Sequence, residues 1–349
     1  MATAARTRVN SEFARDTEPF RRELIAHCYR MLGSLDDAED IVQETYLRAW
    51  RSYAEFENRS SVRTWLHRIA TNSCLTALQH RSRRVLPCGL GGPSDDPHIA
   101  PTPAGPAVAW LQPIPDAVVV PAADDPAAMV VSRESLRLAL VASLQHLPAQ
   151  QRAVLLLRDV LAFQAAEVAA MLGTTVAAVK SALQRARATM KDAAPAPDEI
   201  TEPTDPRARE LLAQYIAAFE TADAATLERA LRHDAALEMV GSRTWFAGRT
   251  TCLPYLATYV LGSPGDWRML AIIANGQPAA AAYRRGADGA LRAFGIAVLT
   301  VTLTGIARIV VFSDPDLATA FRPPETLGAA EQSSGRSSNP VSPTNVSPT

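Results

Sequence analysis

Between Phe163 and Met190 the chain reads FQAAEVAAMLGTTVAAVKSALQRARATM, a pattern that buries one helical face and leaves another able to meet anions. Val168 and Leu172 put apolar side chains on one side of a first helix, and Gly173 permits a sharp turn. Val179 and Leu183 continue the apolar stripe on a second helix. Ala169 leaves room where the two helices cross. The outer face of the second helix offers Thr175, Lys180, Ser181, Gln184, Arg185 and Arg187, and no Asp or Glu occurs between Val168 and Lys191. Cationic groups neutralise phosphates, and short polar groups reach base edges in a major groove. The chemistry is therefore that of a DNA-reading helix-turn-helix. The alternative is a plain helical hairpin with a solvated basic side. Gln164 stands where Ser, Thr, Asp or Asn is the usual N-cap, so the first helix lacks that stop signal.

A chain of 349 residues implies two or three domains, and 48% hydrophobic residues supply their cores. The formal net charge is -1, so any basic surface is local. Cys28, Cys74, Cys88 and Cys252 lack metal-ligand spacing and read as free thiols, with no metal or other cofactor expected. Neither a signal peptide nor an apolar run long enough to span a membrane is found, which predicts a soluble cytoplasmic protein with no membrane contact.

The elements that position this face begin with a helical unit, residues 12–86. Phe20, Leu24, Ile25, Cys28 and Leu32 recur at helical spacing up to Gly33. Ser34, Asp36 and Asp37 can cap a second helix through Ile41, Val42, Tyr46, Leu47 and Trp50. Five acids and no base lie between Met31 and Leu47, whereas Arg59, Arg63, Arg68, Arg81, Arg83 and Arg84 follow without a carboxylate. One face thus suits a protein partner and the other a nucleic acid.

DDAEDIVQETYLRAW, followed by SSVRTWLHRIATNSCLTALQHRSRR and then the helix-turn-helix, resembles the two-domain core of bacterial RNA polymerase sigma factors of the sigma-70 family, extracytoplasmic-function group. The resemblance implies that residues 12–86 are region 2, which binds core polymerase and the minus-ten element, and that residues 129–193 are region 4, which binds the minus-thirty-five element. It further implies that Asp37, Glu39, Asp40, Gln43, Glu44 and Arg48 dock on the polymerase β′ clamp. Asn58, Arg59, Ser60, Ser61, Arg63, Thr64, His67, Arg68, Thr71 and Asn72 match the element that captures an unstacked minus-ten base. Thr175, Lys180, Ser181, Gln184, Arg185 and Arg187 would read the minus-thirty-five element. An opened strand needs cations for its phosphates and polar groups for base edges, which these residues supply. Trp50 and Trp65 read as core before stacking platforms.

Residues 87–128 form a linker: nine prolines lie between Pro87 and Asp125, and no packed core is expected. Its apolar island, Trp110 to Pro115, either anchors in the path of the emerging RNA or folds on a neighbouring domain. Helices are expected over 132–146 and 150–161, and a second break spans 194–206.

A third domain, 207–325, opens with two helices, 207–219 and 224–232. Strands are expected at 236–240, 268–275, 279–284, 291–301 and 306–312, with turns at Gly276, Ala287 to Gly289 and Gly305. Two helices before a curved antiparallel sheet resemble the cone-shaped α+β fold of nuclear transport factor two and SnoaL-type proteins. ANGQPAAAAYRRGADG is similar to the tail domain of sigma-G-like members of the extracytoplasmic group. Asp223, His233, Asp234, Asp266 and Asp288, with Tyr215, Tyr255, Tyr259 and Tyr283, are the acid-base candidates, most of them at caps or turns. Trp245, Phe246 and Trp267 can line a pocket or pack a core. The tail, 326–349, is Ser- and Pro-rich and expected to be disordered.

The fold class expected is therefore multidomain, two all-α sigma domains followed by an α+β SnoaL-like domain. The expected function is promoter recognition and initiation with core polymerase, without enzymatic chemistry. The third domain would regulate it through a small ligand or an intramolecular contact. A polymerase-independent helix-turn-helix regulator, or a bifunctional protein with an isomerase- or cyclase-like third domain, are the alternatives.

Overall fold

A computed structural model describes residues 11–53, 56, 60–119, 133–193 and 200–321 of the protein. Its first unit is built from α1 (Arg21–Leu32), α2 (Leu35–Ser52) and α3 (Val62–Leu78). Leu24, Cys28 and Met31 of α1 meet Val42 of α2 and Leu66, Ala70 and Cys74 of α3, all fully buried. Their three- and four-residue spacing gives each helix one apolar stripe. Ser34 and Ser61 cap α2 and α3 by accepting the amides of Asp37 and Thr64. Gly33 ends α1 at φ 72°, and a Cβ there would lie 2.8 Å from Leu111 Cδ1. Only glycine meets both demands.

The second unit comprises α4 (Leu138–Leu144), α5 (Ala149–Leu155), α6 (Ala165–Leu172) and α7 (Val176–Ala193), with a π-helical turn, Leu156–Val160, after α5. The helix expected over 132–146 is not continuous. Arg137 is extended (ψ 137°) and α4 starts only at Leu138. The Leu136 carbonyl and Leu138 amide are bonded to the third domain, so they cannot also serve a helix ladder. The cap missing before α6 is replaced by Glu167, whose carboxylate accepts the Gln164 amide at 2.8 Å.

In the third domain α8 (Pro206–Glu220), α9 (Ala224–Ala230) and α10 (Arg249–Tyr259) cover one side of a six-stranded sheet. Its strands are β1 (Leu231–Val240), β2 (Trp245–Ala247), β3 (Trp267–Ala274), β4 (Gln277–Arg285), β5 (Leu291–Thr302) and β6 (Gly305–Phe312). The order is β2-β1-β6-β5-β4-β3, parallel between β1 and β6 and otherwise antiparallel. A short helix, α11 (Pro315–Ala320), follows. Sequence patterning did not show β2, which is three residues long, or α10, which carries Pro254 and no clear apolar stripe. β1 begins at Leu231, where the second helix was expected to continue.

Both faces of this sheet are buried, and the period of two along each strand says against what. Ala280, Ala282, Ala297, Leu299 and Ile309 pack beneath α8 to α10. Ala279, Ala281, Ile296, Val298, Val310 and Phe312 belong instead to the core that continues into the first two units. Such two-sided burial explains the unbroken alanine run of β4.

The proline-rich segment is not without a packed core; its partners lie outside itself. Ser94 donates its amide to the Trp245 carbonyl at 2.8 Å, and the Trp245 indole donates back to the Gly91 carbonyl. Ala104 and Arg243 exchange similar bonds with Gly241 and Thr102. Prolines offer no N–H, and three of the segment's other amides, Ser94, Thr102 and Ala104, are accepted by the β1–β2 hairpin. Leu111 and Ile114 are fully buried, and the apolar island therefore folds on its neighbours. Residues 120–132 and 194–199 and the tail, 326–349, lie outside the described residues.

The Asn275–Gly276 turn between β3 and β4 enters the first two units. Gly276 has φ 64°, and a Cβ on it would stand 2.7 Å from the Arg133 carbonyl oxygen and the Arg133 Cβ. Gly276→Val is therefore expected to undock the turn. Hydrogen exchange at the Ile114 and Leu138 amides, both bonded to this turn, should then accelerate at least tenfold while β5 amides keep their protection; unchanged exchange would refute the docking.

Candidate nucleic-acid interface and its covering contacts

All six side chains expected to read DNA from α7 are exposed: Thr175, Lys180, Ser181, Gln184, Arg185 and Arg187. The Thr175 hydroxyl accepts the Ala178 amide at 3.1 Å and caps the helix. Arg185 donates to Ser181 at 2.7 Å, and Arg187 is paired with Asp159 at 2.7 Å. Val168, Val179 and Leu183 are buried beneath, which fixes the polar face outward.

The acidic face of α2 is open over Glu39, Asp40, Gln43 and Arg48. Arg48 pairs with Glu44 at 2.6 Å. Asp37 points elsewhere: it is bridged by Arg84 at 2.7 Å and by Arg81, and these contacts hold its carboxyl below the ordinary range despite burial. Leu47 and Trp50 are 46% and 41% exposed on the same open face. Trp50 is thus surface, not core, because Val42, Thr45 and Ala49 occupy the buried stripe. Trp65 is half-buried and stacks on Phe56 at 4.6 Å.

The residues matched to minus-ten recognition divide into three groups. Asn58 and Arg59 lie outside the described residues; Ser60, Ser61 and Arg68 are exposed. Arg63 and Thr64 are half-buried against the second unit, and Asn72, itself exposed, also touches it. Arg63 pairs with Glu23 at 2.7 Å, donates to the Leu161 carbonyl and covers the Phe163 ring at 4.4 Å. Thr64 stands 3.5 Å from Glu167, and Asn72 donates to the Met171 carbonyl at 3.2 Å. His67 and Thr71 are fully buried, a correction to their expected place on the DNA side. They follow Leu66 and Ala70 on the inward stripe of α3.

His67 lies 5.5 Å from His27 and 5.3 Å from Phe163. Its Nδ1 faces the Arg63 carbonyl at 2.9 Å and so carries the proton, while Nε2 is 3.2 Å from Glu23 without hydrogen-bond alignment. Burial pushes this imidazole down to about 4. His27, bonded to Thr71, is lowered as well, first by burial and then by His67.

What holds these surfaces together was not visible as a site in the sequence. Gln112 accepts from the Ser34 hydroxyl and Leu35 amide and donates to Asp36. Its backbone bonds Gly33 and the Tyr29 hydroxyl. Asn275 accepts the Ile114 amide at 2.9 Å and donates to the Tyr29 hydroxyl at 2.7 Å and the Leu136 carbonyl at 2.8 Å. Asp116 accepts the Gly276 amide, and Gln277 accepts the Leu138 amide. Buried Arg30 and Arg152 complete the joint, bonding Ser135 and the Met31 carbonyl.

The acid-base candidates of the third domain serve local structure. Asp223 caps α9, Asp234 pairs with Arg232, Asp266 accepts the Ser263 amide and Asp288 pairs with Arg292. His233 is exposed. Tyr215, Tyr255, Tyr259 and Trp267 line one cavity, whose lining has no carboxylate or imidazole; Tyr283 and Trp245 do not reach it. Phe246 is core. Among the described residues no cluster of His, Cys, Asp and Glu could hold a metal, and no single helix is long and apolar enough to cross a membrane.

A three-helix unit with an acidic open face, a helix-turn-helix with a basic one, and an α+β SnoaL-like domain define a sigma factor of the extracytoplasmic-function type. The profiles of Sigma-70 region 2 and Sigma-70, region 4 match residues 17–84 and 137–190. The chain is 50% identical over 318 residues to the ECF RNA polymerase sigma factor SigG of Mycobacterium tuberculosis, covering 90% of this chain and 85% of that protein. It is 33% identical to SigJ of the same species over 62% of this chain and 61% of SigJ. The crystal structure of M. tuberculosis SigJ superposes with a TM-score of 0.53 at 25% identity, covering 86% of this chain and 96% of that one. The protein belongs to the extracytoplasmic-function RNA polymerase sigma factors.

The folded state depresses the His67 pKa, so it favours neutral imidazole. That stabilisation is complete above about 6.5 and is lost as pH falls toward about 4. Thermal unfolding is expected to drop across this window by up to a few kcal/mol in stability, and His67→Gln should flatten the slope; identical pH profiles would contradict the role given to burial.

Proposed function

We propose that this chain directs core RNA polymerase to promoters and that the observed arrangement is its restrained state. The supporting observation is the cover over α3: Arg63, Thr64 and Asn72, the groups matched to minus-ten capture, are bonded to Glu23, Leu161, Glu167 and Met171. While these bonds hold, the Arg63 guanidinium and the Asn72 amide are engaged by protein groups, although Asn72 itself stays exposed, so a separated strand must displace them before it can use them. In this reading Glu39, Asp40, Gln43, Glu44 and Arg48, with Leu47 and Trp50 beside them, form the docking face for the β′ clamp. Lys180, Ser181, Gln184, Arg185 and Arg187 contact the minus-thirty-five element after Arg187 leaves Asp159. Asp37 instead braces the fold, and Thr175 caps α7. Units 12–86, 129–193 and 207–325 are the moving parts.

The third domain acts as the restraint. Its tethered turn meets the first two units at a high effective concentration, so modest contacts suffice to keep them together. It performs no catalysis here, since the Asp and His candidates stand at caps and surface ion pairs. Asn275→Ala removes bonds to Tyr29, Ile114 and Leu136, and each buried group left unpaired costs roughly 1–3 kcal/mol. In run-off transcription with purified core polymerase and genomic promoter fragments, Asn275→Ala and a chain truncated after Pro195 should both initiate at least fivefold more than the full chain. Initiation by none of the three would remove the sigma reading, and equal initiation by all would remove the restraint.

A further inference from the structure

The cone of the third domain encloses a cavity of about 160 Å³ between α8, α10 and the inner face of the sheet. Tyr215, Phe219, Tyr255, Trp267 and Phe294 form aromatic walls, and Arg284 stands at its edge. An apolar cavity of about 150 Å³ accommodates a benzene-sized molecule, so this one is sized for a single ring. Polar groups on the lining, Tyr215 and Arg284 foremost, give that ring an orientation. The Tyr215 side chain is only 1% exposed and faces the cavity, and no protein group among the described residues accepts its hydroxyl proton. The hydroxyl therefore opens on the cavity, where a bound group can accept its proton. The Arg284 guanidinium lies over Trp267 at 5.5 Å with no carboxylate in ion-pair distance among the described residues, and no acid lines the cavity. Aromatic walls, the lining hydroxyls of Tyr215, Tyr255, Tyr259 and Ser313, and one guanidinium without an ion-pair partner together select a flat anion.

We propose that this cavity binds a monocyclic aromatic carboxylate and that its occupancy releases the sigma units. The second half rests on the restraint reading above. Ile296 lines the cavity and also belongs to the core shared with the first two units. On β4 the cavity-lining Ala282 alternates with Ala279 and Ala281, which belong to the docked face, and on β5 the lining Ala297 stands beside Ile296 and Val298 of that same face. A ligand that spreads β4 and β5 therefore acts on both sides of one sheet, provided it binds the undocked state better.

Calorimetry on the full chain with benzoate tests the site. Saturable binding is expected, weakened at least tenfold by Arg284→Met and by Tyr215→Phe, partly restored by Arg284→Lys, and at least tenfold weaker for neutral benzyl alcohol. Arg284 is surface-exposed, so its variants keep the fold. Absence of binding up to millimolar benzoate, or affinity indifferent to Arg284, overturns the site. Saturating benzoate should also raise run-off at least threefold; binding without that rise overturns the coupling. The restraint itself is read from Asn275→Ala with no ligand present, so its failure is seen separately from that of the cavity.

Discussion

The carboxamide of Asn275 makes all its bonds outside its own domain. The side chain is fully buried, its backbone holds φ 56°, and its partners come from α1, from the proline-rich segment and from the break before α4. Asparagine tolerates that left-handed backbone better than most residues. A buried amide saturated by three segments is stable only when all three are present, because each missing partner leaves a desolvated polar group. Gly276 and Gln277 extend the same logic to Asp116 and Leu138. Loss of one contact thus weakens the whole joint.

Two further consequences follow from that joint. By fixing the break before α4, it places α6 over α3, where Phe163 fills the space between Arg63 and His67. The cover is polar at its edge and apolar at its centre, and in the proposed function it competes with nucleic acid for the guanidinium of Arg63 and the amide of Asn72. The proline-rich segment is also held on the β1–β2 hairpin and caps α2 through Gln112, which removes its freedom to run elsewhere. Glu238 reinforces this hold. It is fully buried, paired with Arg308, and accepts the Cys88 amide at 2.9 Å. A buried carboxylate in that place is sustained only by such partners.

Much of this was legible in the residues. The apolar repeats around Gly173 fixed the helix-turn-helix and the outward direction of Arg185, since three- and four-residue spacing is a local signal. Alternation in the third domain located most of its strands. The faces of single helices were read less well. His67 and Thr71 were assigned to the DNA side by their place in a motif, but they share the stripe of Leu66 and Ala70. Trp50 was assigned to the core by its character, although Val42 and Ala49 already occupy that stripe. The joint itself was out of reach. ANGQP reads as a hairpin turn and WLQPIP as an apolar island, and nothing local says that residues 161 positions apart exchange the bond between Ile114 and Asn275.

In the proposed function α6 leaves α3 when core polymerase binds. Spin labels on Arg68→Cys and Gln184→Cys, both exposed sites, in a Cys88→Ser background would report the distance between α3 and α7 by pulsed electron resonance. One narrow, short distance is predicted for the free full-length chain, giving way to a longer one when core polymerase binds. The same distance in both states would contradict the claim that the structure is a restrained form which must open.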